Sequence, residues 1–250
     1  MSPLDDQRQW YRYHHLFAEV LSAHLRAEQP GQVSALHGRA SVWHEQHGSV
    51  ADAIRHALAA EDFARAADLV ERAWPTVRRS RQDATLLGWL KALPDEVFHC
   101  RPVLSAAYAH VLLASGEVEG VEERLRNAER WLDTTAEMRG QPESPAEVMV
   151  VVDEEAFRRL PGTIAIARAG LALAQGDVPG TLTHARRALD VAPRDDYLTR
   201  GGAAGARNWG NTRASHRTAI VGASQWLAYG RLKEIWTAPS LCSMRQSACI

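Results

Sequence analysis

Two stretches of this chain, GEVEGVEERLRNAERWL from Gly116 and GDVPGTLTHARRALDVA from Gly176, align without a gap, and no other feature constrains the fold as strongly. Gly116/Gly176, Val118/Val178, Gly120/Gly180, Arg126/Arg186 and Ala128/Ala188 coincide, and upstream so do Ala107/Ala167, Ala109/Ala169 and Leu113/Leu173. Each copy reads as a helix, a tight turn and a second helix. One such hairpin cannot bury its apolar face alone, so neighbours must stack into a continuous core with a groove. The offset of 60 residues is not one unit length. A degenerate repeat or an insertion therefore lies between the copies.

The second copy is close to the tetratricopeptide pattern, with a Gly-Asp turn at Gly176-Asp177, alanine at Ala188, then Leu189 and Pro193. The rest of the chain keeps the same rhythm. From Tyr13 to Glu28 the positions Leu16, Phe17, Val20, Leu21 and Leu25 follow one helix face, closed by Pro30-Gly31. Val33, Leu36, Ala40 and Trp43 continue the period to Gly48, after which Ser49 is placed to cap a helix carrying Val50, Ala53, Ile54, Ala57 and Leu58. Phe63, Ala66, Ala67, Val70, Ala73 and Trp74 make the next helix, which Pro75 should kink or stop. Helices are further expected at Ala84 to Leu93, Val103 to Ser115, Val118 to Asp133, Thr163 to Gln175 and Pro179 to Ala192. Thr134 to Pro161 breaks the rhythm, with a short helix at Asp153 to Leu160 and with Val148 to Val152 extended against the array. The fold class is all-α, a TPR-like helical-hairpin superhelix with an irregular C-terminal tail.

The chemistry the sequence excludes narrows the function. Basic and acidic residues number 29 and 30, a net charge of −1 that gives no global field for nucleic acid or an anionic membrane. No apolar run is long enough to span a bilayer, and the start MSPLDDQRQWYRYHH lacks the basic and apolar regions of a signal peptide. A cytoplasmic location is the expectation. Cys100, Cys242 and Cys249 are too scattered for a disulfide framework or a C-x-x-C zinc pair. His44-Glu45-Gln46-His47 spaces its histidines three apart, whereas the metalloprotease motif needs four. His14 and His15 point to different faces of a helix and read as structural. Only Lys91 and Lys233 are lysines, and neither follows the glycines of a phosphate-binding loop. Asp153-Glu154-Glu155 reads as a solvated helix start, and Arg78-Arg79-Ser80-Arg81 as cations at a helix end. The expectation is a recognition surface and not an enzyme: no catalytic, cofactor-binding or metal residue is assigned. The groove residues that would take a ligand or partner are not identifiable from the pattern.

One segment is more informative than any catalytic motif. Trp10-Tyr11-Arg12-Tyr13-His14-His15-Leu16-Phe17, followed by Ala18-Glu19-Val20-Leu21, resembles the segment that closes the winged-helix region of MalT-like, LuxR-type transcriptional regulators. The resemblance continues through AIRHALAAEDFARAADLVE at 53 to 71, LKALPDEVFHCRPVLSAAYAHVLLASGE at 90 to 117, and VVVDEEAFRRLPGTIAIARAGLALAQGD at 150 to 177. It implies that residues 1–30 are the end of a winged-helix region with its linker, and that 31–200 are a TPR-like sensor arm. In such regulators a STAND-class NTPase comes first and a LuxR-type helix-turn-helix comes last. The chain would then be a truncated arm taking a protein or small-molecule inducer, with ATP belonging only to the missing NTPase and no nucleic acid bound by this chain alone. The alternative is a free-standing TPR-like scaffold that binds a peptide or partner protein.

The stretch 201–250 departs from this pattern. It holds six basic residues against the single acid Glu234, with three of the eight tryptophans and two of the three cysteines. The apolar period is lost there. An out-of-frame reading of a GC-rich gene, beginning near residues 201 to 210, is the expected source, in keeping with the preference for arginine over lysine.

Overall fold

Several of the described helices end in one recurring way. At Gly48, Gly116 and Gly176 the backbone turns into the left-handed region, with φ of 80°, 78° and 75°. Glycine adopts that conformation without the Cβ clash that other residues meet. In each case the next residue donates back to a carbonyl five positions earlier: Ser49 to His44 at 2.9 Å, Glu117 to Leu112 at 2.9 Å, Asp177 to Ala172 at 2.8 Å. The glycine itself donates three positions back, to Glu45, Leu113 and Leu173. This paired closure satisfies carbonyls that the helix leaves open. A fourth turn makes the same two bonds with Glu61 at φ 58°, Asp62 donating to Ala57 and Glu61 to Leu58. No glycine marks that turn.

The computed structural model describes residues 2–3, 11–12, 15–80, 82–132 and 148–215. Among them are eleven helices: α1 His15–Glu28, α2 Pro30–Gln46, α3 Val50–Ala59, α4 Phe63–Arg79, α5 Asp83–Lys91, α6 Glu96–His99, α7 Pro102–Ala114, α8 Val121–Glu129, α9 Glu154–Ala174, α10 Val178–Val191 and α11 Tyr197–Ser215. A two-residue antiparallel ladder, β1 Ser2–Pro3 on β2 Tyr11–Arg12, precedes them. The fold is all-α. Two compact units divide inside α4, between Leu69 and Val70.

In the first unit α2 packs on α3. Ala53, Ile54 and Ala57 of α3 are fully buried, as the period predicts, but the inner face of α2 is not the predicted one. Its sealed position is Ser41, while Leu36 is 40% exposed. The contacting row is Ser34, His37, Ser41 and His44, at helical spacing. Ser34 donates to the Ala60 carbonyl at 2.9 Å and Ser41 to that of Ala53 at 2.8 Å. Small hydroxyls that spend their donors on the partner backbone fill this seam better than the bulkier Val33/Leu36 row. Ser49 does not cap α3 either; its hydroxyl donates to the Asp52 carboxylate at 2.6 Å.

In the second unit α7 packs on α8, α9 on α7 and α10, and α11 on α10 and α9. Leu86, Leu90, Phe98, Leu104, Val111, Val121 and Leu125 are sealed from solvent at its centre. Burying side chains of this size stabilises by about 1.5–3 kcal/mol each. A second core is built from small residues: Ala165, Ile166 and Ala169 of α9, Ala185 and Ala188 of α10, Ala203 and Ala206 of α11. Gly170 allows α9 to sit against Leu113 of α7, where an added Cβ would lie 3.3 Å from that side chain. The repeat glycines Gly120 and Gly180 are not equivalent. Gly120 precedes α8 in the left-handed region, whereas Gly180 lies inside α10 and donates its N–H to Asp177 at 2.9 Å.

Four further sequence expectations change. Pro75 neither stops nor splits α4, which runs to Arg79. Pro161 likewise lies within a single 21-residue helix, α9, in place of a short helix and a separate one. Each proline removes one ladder donor, but the flanking residues Ala73, Trp74, Leu160 and Gly162 are buried and hold the helix together. A short α6 fills the predicted break after Pro94. Most consequentially, the tail is not irregular from residue 201, because α11 continues to Ser215 and packs through Gly202, Ala203, Ala206 and Gly210. Its period is carried by small residues. Any loss of pattern falls after this helix, and residues 216–250 lie outside the described residues. Val148 to Val152 is non-helical and lies against the helices, as expected. Val150 donates to the Cys100 carbonyl at 2.8 Å and Val152 to the Glu71 carboxylate at 3.0 Å.

Candidate functional site

The residues that sequence reasoning flagged for chemistry are dispersed and mostly committed to structure. Asp153 caps α9, accepting from the Glu155 and Ala156 amides at 2.9 and 3.0 Å, and Glu155 pairs with Arg158 and Arg159. His47 lies flat on Trp43 with ring centres 3.9 Å apart, while Glu45 pairs with Arg65 at 2.5 Å. Among the described residues no group of three or more metal-ligating side chains converges. Cys100 is a free thiol, half-buried. Lys91 meets both carboxylate oxygens of Glu117 at 2.8 Å. His14, Arg81, Lys233, Cys242 and Cys249 lie outside the described residues.

Of the Arg78-Arg79-Ser80-Arg81 run, Arg78 occupies an unusual setting within the second unit. Its guanidinium lies over the Trp74 ring one turn earlier on α4, 5.4 Å from the ring centre. Trp74 in turn meets His110 of α7 edge to face, with ring centres 5.5 Å apart. Helix α7 is buried from Pro102 to Ala109 and again from Val111 to Leu113, so His110 is the place within that span where it reaches a less enclosed surface. Burial, and then the Arg78 charge, hold the His110 imidazole well below the usual histidine range, so it is neutral at pH 7. Burial also lowers Arg78, opposed by the charges of Asp196 and Asp83. Neither carboxylate is hydrogen-bonded to it among the described residues; Asp196 instead accepts the Thr199 amide at 3.1 Å. The arrangement joins a cation, an aromatic face and a neutral imidazole.

Two other polar assemblies have structural roles. Arg124 of α8 stacks over Phe98 and Tyr108, 4.5 and 5.0 Å from the ring centres, and pairs with Asp95. Arg168 of α9 clasps Glu122 and both oxygens of Glu129 on α8, which fixes one hairpin to the next. In the first unit the Nδ1 atoms of His37 and His56 are 2.8 Å apart, so one imidazole donates and the other accepts. His44 stacks on His56 at 5.2 Å. Sequence reasoning missed His37, His56 and His110, since lone histidines on separate helices carry no spacing signal.

Helical hairpins closed by one repeated turn, with a short ladder and helix ahead of them, define an all-α protein. The MalT winged helix domain matches residues 1–33. Over 199 residues, 79% of the chain, it is 28% identical to the HTH-type transcriptional regulator MalT of Cronobacter sakazakii, spanning 20% of that protein. Over 159 residues, 60% of the chain, it is 36% identical to the serine/threonine-protein kinase PknK of Mycobacterium tuberculosis, spanning 14% of it. The PknK of Mycobacterium bovis matches to the same extent. The chain thus spans a fifth or less of the length of these relatives. No solved structure matches. The chain is similar to MalT over most of its length, and its residues 1–33 match the MalT winged helix domain.

Proposed function

We propose that this chain is the sensing and protein-interaction arm of a MalT-like, LuxR-family regulator of the STAND class, that its hairpins form a TPR-like array, and that it works in the cytoplasm without catalysis of its own. The observation that carries this reading is continuity: the MalT winged-helix match at residues 1–33 takes in α1 and runs on into α2. An inducer or partner held by the array would bias a nucleotide-driven assembly supplied by other parts of such a regulator. No residue here is assigned to ATP or DNA. No helix among the described residues is long and apolar enough to cross a membrane, which agrees with a soluble arm.

The similarity to PknK favours a broader second reading. An array related both to a transcription regulator and to a kinase serves as an interaction module whose output lies elsewhere, and a free-standing scaffold for a peptide or protein is its limiting form.

Thermal denaturation of the purified chain against a panel of sugars, amino acids and organic acids tests the sensing role. A ligand at a hundredfold excess over its Kd stabilises by about 2.7 kcal/mol, enough to read as a shifted melt. The expected result is a shift with one chemical class, no ATP hydrolysis and no DNA retardation. Stabilisation by none of the panel, together with capture of a defined peptide from a display library, would replace the sensor with the scaffold.

A further inference from the structure

Resting on the sensing role, we propose that Arg78, Trp74 and His110 form the ligand subsite of the array and that it takes a carboxylate group. A guanidinium carries five N–H donors in a planar fork that matches the two oxygens of a carboxylate. Most arginines at the helix contacts of this unit spend theirs: Arg168 on Glu122 and Glu129, Arg124 on Asp95, Arg159 on Glu155 and Asp195, Arg200 on the Leu189 and Ala192 carbonyls. Arg78 makes no hydrogen bond or ion pair among the described residues. Yet it is half-buried, placed by the Trp74 ring beneath it. None of its nitrogens is among the atoms sealed from solvent. A recessed cation with free and reachable donors lacks the partner that these four arginines have.

The surroundings choose among anions. His110 is neutral beside the cation, so it offers one N–H donor and one acceptor without adding a second positive charge. Asp83 and Asp196 face Arg78 electrostatically and already moderate its charge. A singly charged carboxylate meets less repulsion from these two aspartates than a doubly charged phosphate would. The Trp74 ring supplies an apolar wall for the body of the ligand. A free organic acid and the acidic group of a peptide share this chemistry.

The test uses the full chain and isothermal titration with small mono- and dicarboxylates, their neutral amides, inorganic phosphate, neutral oligosaccharides, and peptides ending in a free or an amidated carboxyl. The expected result is a carboxylate that binds at least about tenfold more tightly than its amide, as loss of a charge-assisted hydrogen bond predicts. Arg78→Gln should abolish that preference, Arg78→Lys should weaken binding while keeping some of it, and His110→Gln should weaken binding without erasing it. Circular dichroism melts of each variant separate lost binding from lost folding, and Arg79→Gln, one position along α4, should bind as the parent does. If a free acid binds, the ligand is a metabolite; if only the free-carboxyl peptide binds, it is a peptide terminus. A neutral oligosaccharide that binds equally to the parent and to Arg78→Gln overturns the carboxylate subsite while leaving the sensing role intact. Binding of nothing in the panel overturns both.

Discussion

Four glycines in the second unit should respond to the same substitution with opposite signs. Gly88 in α5, Gly201 in α11, Gly116 and Gly176 all have open space where a Cβ would go, with nothing within 4 Å. Sterics with neighbours therefore cancel from the comparison. Gly88 and Gly201 are helical and exposed, so alanine removes a flexible residue from a helix and stabilises by about 1 kcal/mol. Gly116 and Gly176 sit at φ 78° and 75°, where an L-residue is disfavoured by about 1–2 kcal/mol. Stiffening the unfolded chain returns about 0.4–1 kcal/mol of that. Gly116→Ala and Gly176→Ala should thus destabilise by about 1 kcal/mol net, by the same two principles. In a unit of this size, 1 kcal/mol moves Tm by about 2–4 °C. Urea and thermal denaturation followed by circular dichroism should show Gly88→Ala and Gly201→Ala melting above the parent and the two turn variants below it. Gly201 is the decisive member. A Gly201→Ala variant that melts with or below the parent would refute the placement of residues 201–215 in a packed helix.

The fourth turn gives a converse case: Glu61→Gly should stabilise the first unit by about 1 kcal/mol, read by urea denaturation, because it relieves the left-handed strain at φ 58°. Asp153→Ala and Asp177→Ala should each cost about 1 kcal/mol through loss of a helix cap, whereas Ser49→Ala, which caps nothing, should cost less in the same assay. Arg168→Met should lower stability by about 1–2 kcal/mol, discounted because the glutamates are partly in water, and the loss should shrink in 1 M salt. The pH dependence has a defined sign. Burial, then the charges of Arg55, His37 and His44, lowers the folded-state pKa of His56 from the ordinary 6.5, and burial and Arg78 lower that of His110. Both stay neutral when folded, so their contribution is complete above pH 6.5 and declines as pH falls below it, where the unfolded chain takes up protons first. Urea midpoints at pH 8, 7, 6 and 5 should fall accordingly, and His56→Gln should flatten the decline; a slope unchanged by that variant would rule out His56 as a contributor.

Most helix positions were legible because large apolar residues at helical spacing and glycines before a new helix are both visible in a string of letters. What escaped obeys different physics. The α2 seam is polar, and a search for apolar periodicity selects the Val33/Leu36 row because it cannot weigh a serine that donates to a partner backbone. Helix α11 is written in glycine and alanine, which score as turn or neutral locally and become helical only against Ile166 and Leu182. Pro75 and Pro161 are local stop signals that packing on either side overrides. The candidate subsite was partly in view, since the Arg78-Arg79-Ser80-Arg81 run stood out as cations at a helix end. Its partner His110 did not, because only the stacking of α4 and α7 residues brings the two together.

The small-residue contact among α9, α10 and α11 has a mechanical meaning. Side chains ordinarily act as springs between helices: a long residue changes rotamer and absorbs a shift of its neighbour. Where alanine and glycine face one another, as Gly162 of α9 does Ala192 at the end of α10, there is little spring to compress. A push on α9 at that point therefore has little side chain to take it up before it reaches the end of α10. The joint is a stiff one, with little slack between the two helices.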